Sequence, residues 1–114
     1  MSETAMSETA TATATATTSA RMTFQQYEAD ALARGFDEVA ERHWKSATTA
    51  PLHTHPFSVE ALVVQGEMWL TVGDDTRHLL PGDTFELALE QPHSERYGEQ
   101  GATYWAARRN GRNR

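Results

Sequence analysis

From Pro51 onward, turn signals punctuate the chain at short, fairly even intervals, with brief apolar runs between them. Strands need only about four to eight residues, whereas helices need about ten or more, so this spacing restricts the region to an all-β fold. Val59 to Gln65 reads as one strand, broken by Gly66, and Glu67 to Val72 as the next, ended by a hairpin turn at Gly73-Asp74-Asp75. Thr76 to Leu80, Thr84 to Leu89, His93 to Tyr97 and Ala102 to Arg108 follow, with turns at Pro81-Gly82-Asp83 and within Gly98 to Gly101. Phe36 to Lys45 is a further strand upstream. About seven short strands without a second helix predict a sandwich or barrel. Both faces of Ala61 to Val64 are apolar, which predicts burial on both sides.

The segment before these strands carries the signature of one short helix. Thr23 can cap it while the Gln26 side chain reaches back, and Phe24, Tyr27, Ala31 and Leu32 would share its buried face. Gly35 supplies the stop. Further upstream, Met1 to Ala5 is repeated as Met6 to Ala10, and Thr11 to Thr18 is a Thr/Ala tract. Such a segment cannot bury enough apolar surface to offset the entropy of ordering, so residues 1–20 are expected to be a disordered tail. That leaves a single domain over 21–109, followed by a short basic tail at 110–114.

A domain of this size sits near the lower limit of self-sufficient cores, so a homodimer, a closed sheet or a bound metal would each help it. The 114 residues carry a formal net charge of −6, which argues against general nucleic-acid binding. Arg108, Arg109, Arg112 and Arg114 read as a solvated basic end rather than a binding element. With no cysteine, the chain has no disulfide, thiolate ligand or cysteine nucleophile. No apolar run is long enough for a membrane span and no secretory signal is visible, so the cytoplasm is the expected compartment.

His53-Thr54-His55 is the chemically richest stretch. Side chains alternate across an extended segment, so two imidazoles one residue apart point the same way and can share an ion. His93, after Pro92, is a third candidate. Glu95 and Tyr97 would share the face of His93 on a regular strand, which makes Glu95 a candidate proton carrier or partner to an imidazole and Tyr97 a pocket wall. His43 and His78 lie among charged neighbours and read as exposed rings, while Trp44, Trp69 and Trp105 suit strand packing or a dimer face. Small side chains at Ala61 and Val63 would leave room beside an ion if they face inward.

Together these residues resemble a small single-domain cupin of the type-2 kind, in the RmlC-like jelly-roll superfamily. The first family motif corresponds to His53, His55, Glu60 and Gly66, and the second to Pro81-Gly82-Asp83 with Pro92-His93. The resemblance covers 51–109 and implies a cupin-type β-barrel, a jelly roll, preceded by the helix. It implies metal ligation by His53, His55 and His93, with Glu60 as a fourth ligand. The spacing from Glu60 to Gly66 is one residue short of the family's usual pattern, so Val59 takes the ligand position unless a bulge near Pro56 to Ser58 restores Glu60. Ala88 and Glu90 also stand where a Pro and a Gly are common, and Tyr97 where an Asn is.

Three imidazoles leave positions open on an ion, the arrangement of a catalytic rather than a closed structural metal. The resemblance suggests iron(II) first, then manganese, nickel or zinc. The expected function is a metal-binding cupin that takes a small organic ligand, as a dioxygenase or a related oxidoreductase, isomerase or lyase. The alternative is a non-catalytic ligand-binding or sensory module.

Overall fold

The computed structural model describes residues 22–110; the Thr/Ala tail over 1–20 and most of the basic end, including Arg112 and Arg114, lie outside the described residues. Helix α1 spans Phe24–Ala33. Its start is the capping box that the sequence predicts: Gln26 N–H donates to Thr23 Oγ1 at 3.0 Å and Thr23 N–H to Gln26 Oε1 at 2.9 Å. At the other end, Gly35 N–H donates to Leu32 O and Phe36 N–H to Ala31 O, both at 3.1 Å, which is the Schellman pattern. The buried face is narrower than expected. Tyr27 and Ala31 are buried and Phe24 packs beside them, but Leu32 is 47% exposed.

Six strands follow among the described residues: β1 (Glu38–Trp44), β2 (Thr49–His53), β3 (Phe57–Val72), β4 (Asp75–Leu79), β5 (Thr84–Leu87) and β6 (His93–Asn110). All pairings are antiparallel. Two of the strands are much longer than the punctuation implies. Gly66 does not break β3; it introduces a register shift within a 16-residue strand. Likewise Gly98 to Gly101 forms no turn between two strands but lies inside the 18-residue β6. Gly66 and Gly101 cross so closely that a Cβ on Gly66 would stand 2.1 Å from the Gly101 carbonyl oxygen.

The long pair β3 and β6 therefore serves two halves of one sheet. In the first half β6 residues 102–108 pair with β1, and β3 residues 59–62 pair with β5. In the second, the start of β6 pairs with β2 and the end of β3 with β4. The inner faces of both halves meet in one core built on Ala61, Val63, Met68, Leu70, Tyr97 and Tyr104, closed over by Leu79, Phe85 and Leu87. Alternation along β3 sends Leu62 to the opposite face, where it packs with Trp105, Ala107, Phe36 and the apolar side of α1. The apolar run at Ala61 to Leu62 to Val63 is thus buried on both sides.

The expected closed barrel, or jelly roll, is not formed. The ladder runs β1-β6-β3-β4 with β2 and β5 as side branches, and among the described residues no pairing joins the β1/β2 side to the β4/β5 side. These edge strands are short and bear exposed charges, Glu38, Glu41 and Arg42 on β1, Asp75 and Arg77 on β4, Glu86 on β5, while β2 contains Pro51. Charge and proline on short edges disfavour further pairing. The sheet wraps its core and stays open.

Arg108 and Arg109 belong to this fold rather than to a solvated end. Arg108 pairs with Glu38 at 2.6 Å and lies over the Phe57 ring, and Arg109 donates to the Arg34 carbonyl at 2.9 Å while covering Phe36.

Candidate metal centre

Strand pairing brings the three histidines together from distant parts of the chain. His53 ends β2 and sits directly opposite His93, the first residue of β6. His55 follows in the link to β3, its carbonyl accepting from Glu90 N–H at 2.9 Å and its ring stacked on Phe57 at 4.7 Å. One ligand atom from each of His53, His55 and His93 lies within 4.8 Å of the others. His55 Nε2 and His93 Nε2 are 3.3 Å apart, close to the roughly 3.0–3.4 Å expected of two nitrogens each about 2.1 Å from one ion.

The rings are also oriented for that task. His53 Nδ1 donates to the Pro51 carbonyl at 2.6 Å and His93 Nδ1 to the Gln91 carbonyl at 2.9 Å. A proton held at Nδ1 fixes the tautomer whose Nε2 lone pair is free, the arrangement in which ligating histidines are anchored by backbone carbonyls. Burial, and then the neighbouring rings of His93 and His53, push the pKa of His55 below its ordinary value. His55 is thereby biased toward the neutral form that a cation requires. A divalent transition metal fits this donor set.

Glu95 lies in the same place. It is buried, its Oε2 standing 3.1 Å from His93 Nε2 and 3.9 Å from His53 Nε2, while the Tyr97 hydroxyl donates to its Oε1. The period-two reading of His93, Glu95 and Tyr97 is what the strand shows. Tyr97 stacks on Trp44 at 4.8 Å, and Trp44 Nε1 donates to the Tyr104 hydroxyl at 3.3 Å. Burial first, and contact with Glu95 and Tyr104, drive the Tyr97 phenol well above its ordinary pKa, so it serves as a fixed donor.

Glu60 does not join the cluster. Its carboxylate accepts from Arg34 Nη1 at 2.9 Å and its carbonyl from the Tyr27 hydroxyl at 3.0 Å, on the helix side of the sheet. The register is the one set from Gly66, so Val59, not Glu60, lines the cavity beside the histidines. His43 is an exposed ring bonded to Thr103 and near Glu41, and His78 stacks on Trp69 while contacting Glu67 at 2.6 Å. Trp105 packs beneath α1 against Phe24 and Tyr27.

The cavity at the histidines has a volume of about 230 Å³ and is walled by Phe57, Val59, Phe85, Leu87 and Ala106, with Arg42 and Arg108 also lining it. Ala61 and Val63 face the core behind these walls. A larger open groove of about 640 Å³ lies elsewhere, beside Trp69, Arg96 and Gly98, and contains none of the three histidines. The sequence reading missed Arg42 and treated Arg108 as part of a tail; the signal for both was the alternation of Glu38, Ala40 and Arg42 on one face of β1, opposite Arg108, Ala106 and Tyr104 of β6.

Solved structures of similar fold share little sequence with the chain. A protein termed an RmlC-like cupin, from Shewanella frigidimarina, is 20% identical, with 66% of this chain and 67% of that chain covered and a TM-score of 0.58. The fold is that of the cupins. KdgF from Halomonas sp. is similar to the same degree, 20% identical over 66% of this chain and 69% of its own with a TM-score of 0.58. The DMSP lyase DddQ from Ruegeria pomeroyi is 22% identical, covering 68% of this chain and 41% of that one, with a TM-score of 0.59. No family model matches the sequence. An uncharacterized HTH-type transcriptional regulator of Haemophilus influenzae is 50% identical over 36 residues, 32% of this chain and 12% of that protein. No helix among the described residues is long and apolar enough to cross a membrane.

Proposed function

We propose that the protein is a metal-dependent cupin enzyme that processes a small organic molecule, as a dioxygenase or a related oxidoreductase, isomerase or lyase. The observation that carries this reading is the convergence of three Nε2-presenting imidazoles beside a buried carboxylate at the foot of a small cavity. When bound, a divalent ion would supply Lewis acidity or redox chemistry at positions the three rings leave open. His53, His55 and His93 hold it. Glu95 accepts or returns a proton at Oε2, while Tyr97 keeps Oε1 occupied and the carboxylate fixed in direction. Phe57, Val59, Phe85 and Leu87 exclude water from the ligand. A fold relative is a lyase, which supports bond-cleaving chemistry as one member of this class.

Iron(II) is the first choice of ion, ahead of manganese, nickel and zinc. The reading includes a cytoplasmic location and a homodimer, the latter supported by exposed Leu52, Leu80 and Leu89, which a second copy would cover. Elemental analysis of purified and metal-reloaded protein tests the centre. One bound ion per chain, lost when His53 and His55 become Ala, is the expected result, and no ion under any loading sinks the reading.

A second reading, a non-catalytic sensory module, is favoured by the short match to a transcriptional regulator. Ligand-induced stabilisation of the metal-loaded protein without turnover would select it over catalysis.

A further inference from the structure

Of the two arginines that line the cavity, Arg42 is the one without an ion-pair partner among the described residues. It lines the cavity that contains His55, His93 and Glu95, on the β1 position facing Tyr104 of β6. Its guanidinium lies 5.4 Å from the Trp44 ring centroid. Arg108, the other cation of the cavity, is already committed to Glu38 at 2.6 Å. Among the described residues Arg42 has no carboxylate partner. A guanidinium offers a rigid fork of donors matched to a carboxylate, and stacking on an indole restricts its orientation without using those donors. The cavity, at about 230 Å³, falls below the roughly 300–1,000 Å³ of sites for drug-sized ligands.

From this placement we infer that the cavity takes a small carboxylate-bearing molecule, its carboxylate held by Arg42 at the rim and its remaining polar group turned toward the three-histidine cluster. The inference rests on the metal-centre reading: Arg108 balances Glu38 in the lining, Arg42 balances buried Glu95, and the ion's added positive charge makes the cavity favourable to anions. The apolar walls between rim and cluster accommodate the carbon skeleton. A neutral ligand would gain no charge pairing with Arg42, and a cationic one would meet both the arginine and the ion.

The test uses cobalt(II)-loaded full-length protein and three carboxylates of increasing size, acetate, pyruvate and succinate, each beside its neutral amide. Cobalt content by elemental analysis reads the metal centre, and titration calorimetry reads the ligand. At least one carboxylate is expected to bind at least tenfold more tightly than its amide, with Arg42→Gln reducing that preference to within about twofold while cobalt content stays at the wild-type level. Arg42→Lys should restore part of it. Absence of bound cobalt overturns the metal-centre reading and this inference together. Full cobalt loading with no carboxylate binding, with carboxylate and amide bound alike, or with an undiminished preference in Arg42→Gln overturns this inference alone.

Discussion

The Nε2 atoms of His55 and His93 face each other across 3.3 Å. His93 Nδ1 is bonded to the Gln91 carbonyl, which directs His93 Nε2 toward His55 Nε2 and toward Glu95 Oε2 at 3.1 Å. An ion replaces that contact by using both lone pairs. Metal should therefore stabilise the fold: at an ion concentration about 100 times its Kd the gain is about 2.7 kcal/mol, or a Tm rise of roughly 10–20 °C for a domain of this size. Differential scanning calorimetry with and without chelator measures it. His93→Ala should abolish the metal-dependent part of the shift; a rise that persists in the variant would mean the ion sits elsewhere.

The metal-free protein should lose stability in mild acid through His55. Its pKa is depressed, by burial first and then by the adjacent imidazoles, so below about pH 6.5 the unfolded chain takes up a proton that the folded chain refuses. No penalty exists above that pH; it grows as pH falls through 6.5 and becomes constant once the folded ring also protonates. Urea unfolding of chelated protein at pH 7.5 and 5.5 reads the difference, and His55→Gln should show a smaller fall. Equal falls in the two proteins would remove His55 as the source.

Alkaline titration should find no ordinary tyrosine. Burial, as the leading cause, raises all three phenols, Tyr27 to about 12 and Tyr97 and Tyr104 in the same direction. Above about pH 10 the unfolded chain releases phenolic protons that the folded chain keeps, so stability declines with rising pH. Absorbance at the phenolate band should change together with the loss of folded structure. A tyrosine that titrates near pH 10 in protein still folded by circular dichroism would contradict the packing around it.

The sequence makes the local rules legible and leaves the long-range ones hidden. Thr23 with Gln26, Gly35, and the alternation of His93, Glu95 and Tyr97 are all local, and each stands where its pattern implies. What failed depended on pairing. Gly66 and Gly101 read as breaks because glycine usually is one, yet here each lets two backbones cross within strands that continue. β2 was invisible because an edge strand containing Pro51 has no apolar alternation, and Arg42 entered the cavity only once β1 had a partner. Barrel closure is a property of edges, and charge on those edges outweighs the strand count.

Glu60 supplies a clean control for the ligand set. Its carboxylate is tied to Arg34 on the far side of β3, in a partly exposed pair that is worth at most about 1 kcal/mol. Glu60→Gln should leave metal stoichiometry and affinity unchanged, with a small loss of stability. Glu95→Gln, by contrast, removes the negative charge 3.1 Å from His93 Nε2 and should weaken metal binding by about 10–100-fold. Competition with a chromogenic chelator measures both. A loss of affinity in Glu60→Gln matching that in Glu95→Gln would place Glu60 at the ion after all.

Gly66 has the most severe steric constraint of the positions described here. Its φ of +78° alone would strain any other residue, and an added Cβ would also lie 2.1 Å from Gly101 O and 2.8 Å from Ala102 Cα, all backbone atoms that have no rotamer escape. Gly73 separates the two effects, because it has a similar φ of +61° with nothing within 4 Å of its Cβ position. Gly73→Ala should cost about 1–2 kcal/mol, the strain of the left-handed conformation. Gly66→Ala should cost about 3 kcal/mol or more, since β3 and β6 must move apart at the crossing that lets both halves of the sheet share one core. Chemical denaturation of the two variants side by side gives the comparison. Equal losses would mean that the strands yield freely at that point, and the tight crossing would then not be what shapes the sheet around the histidines.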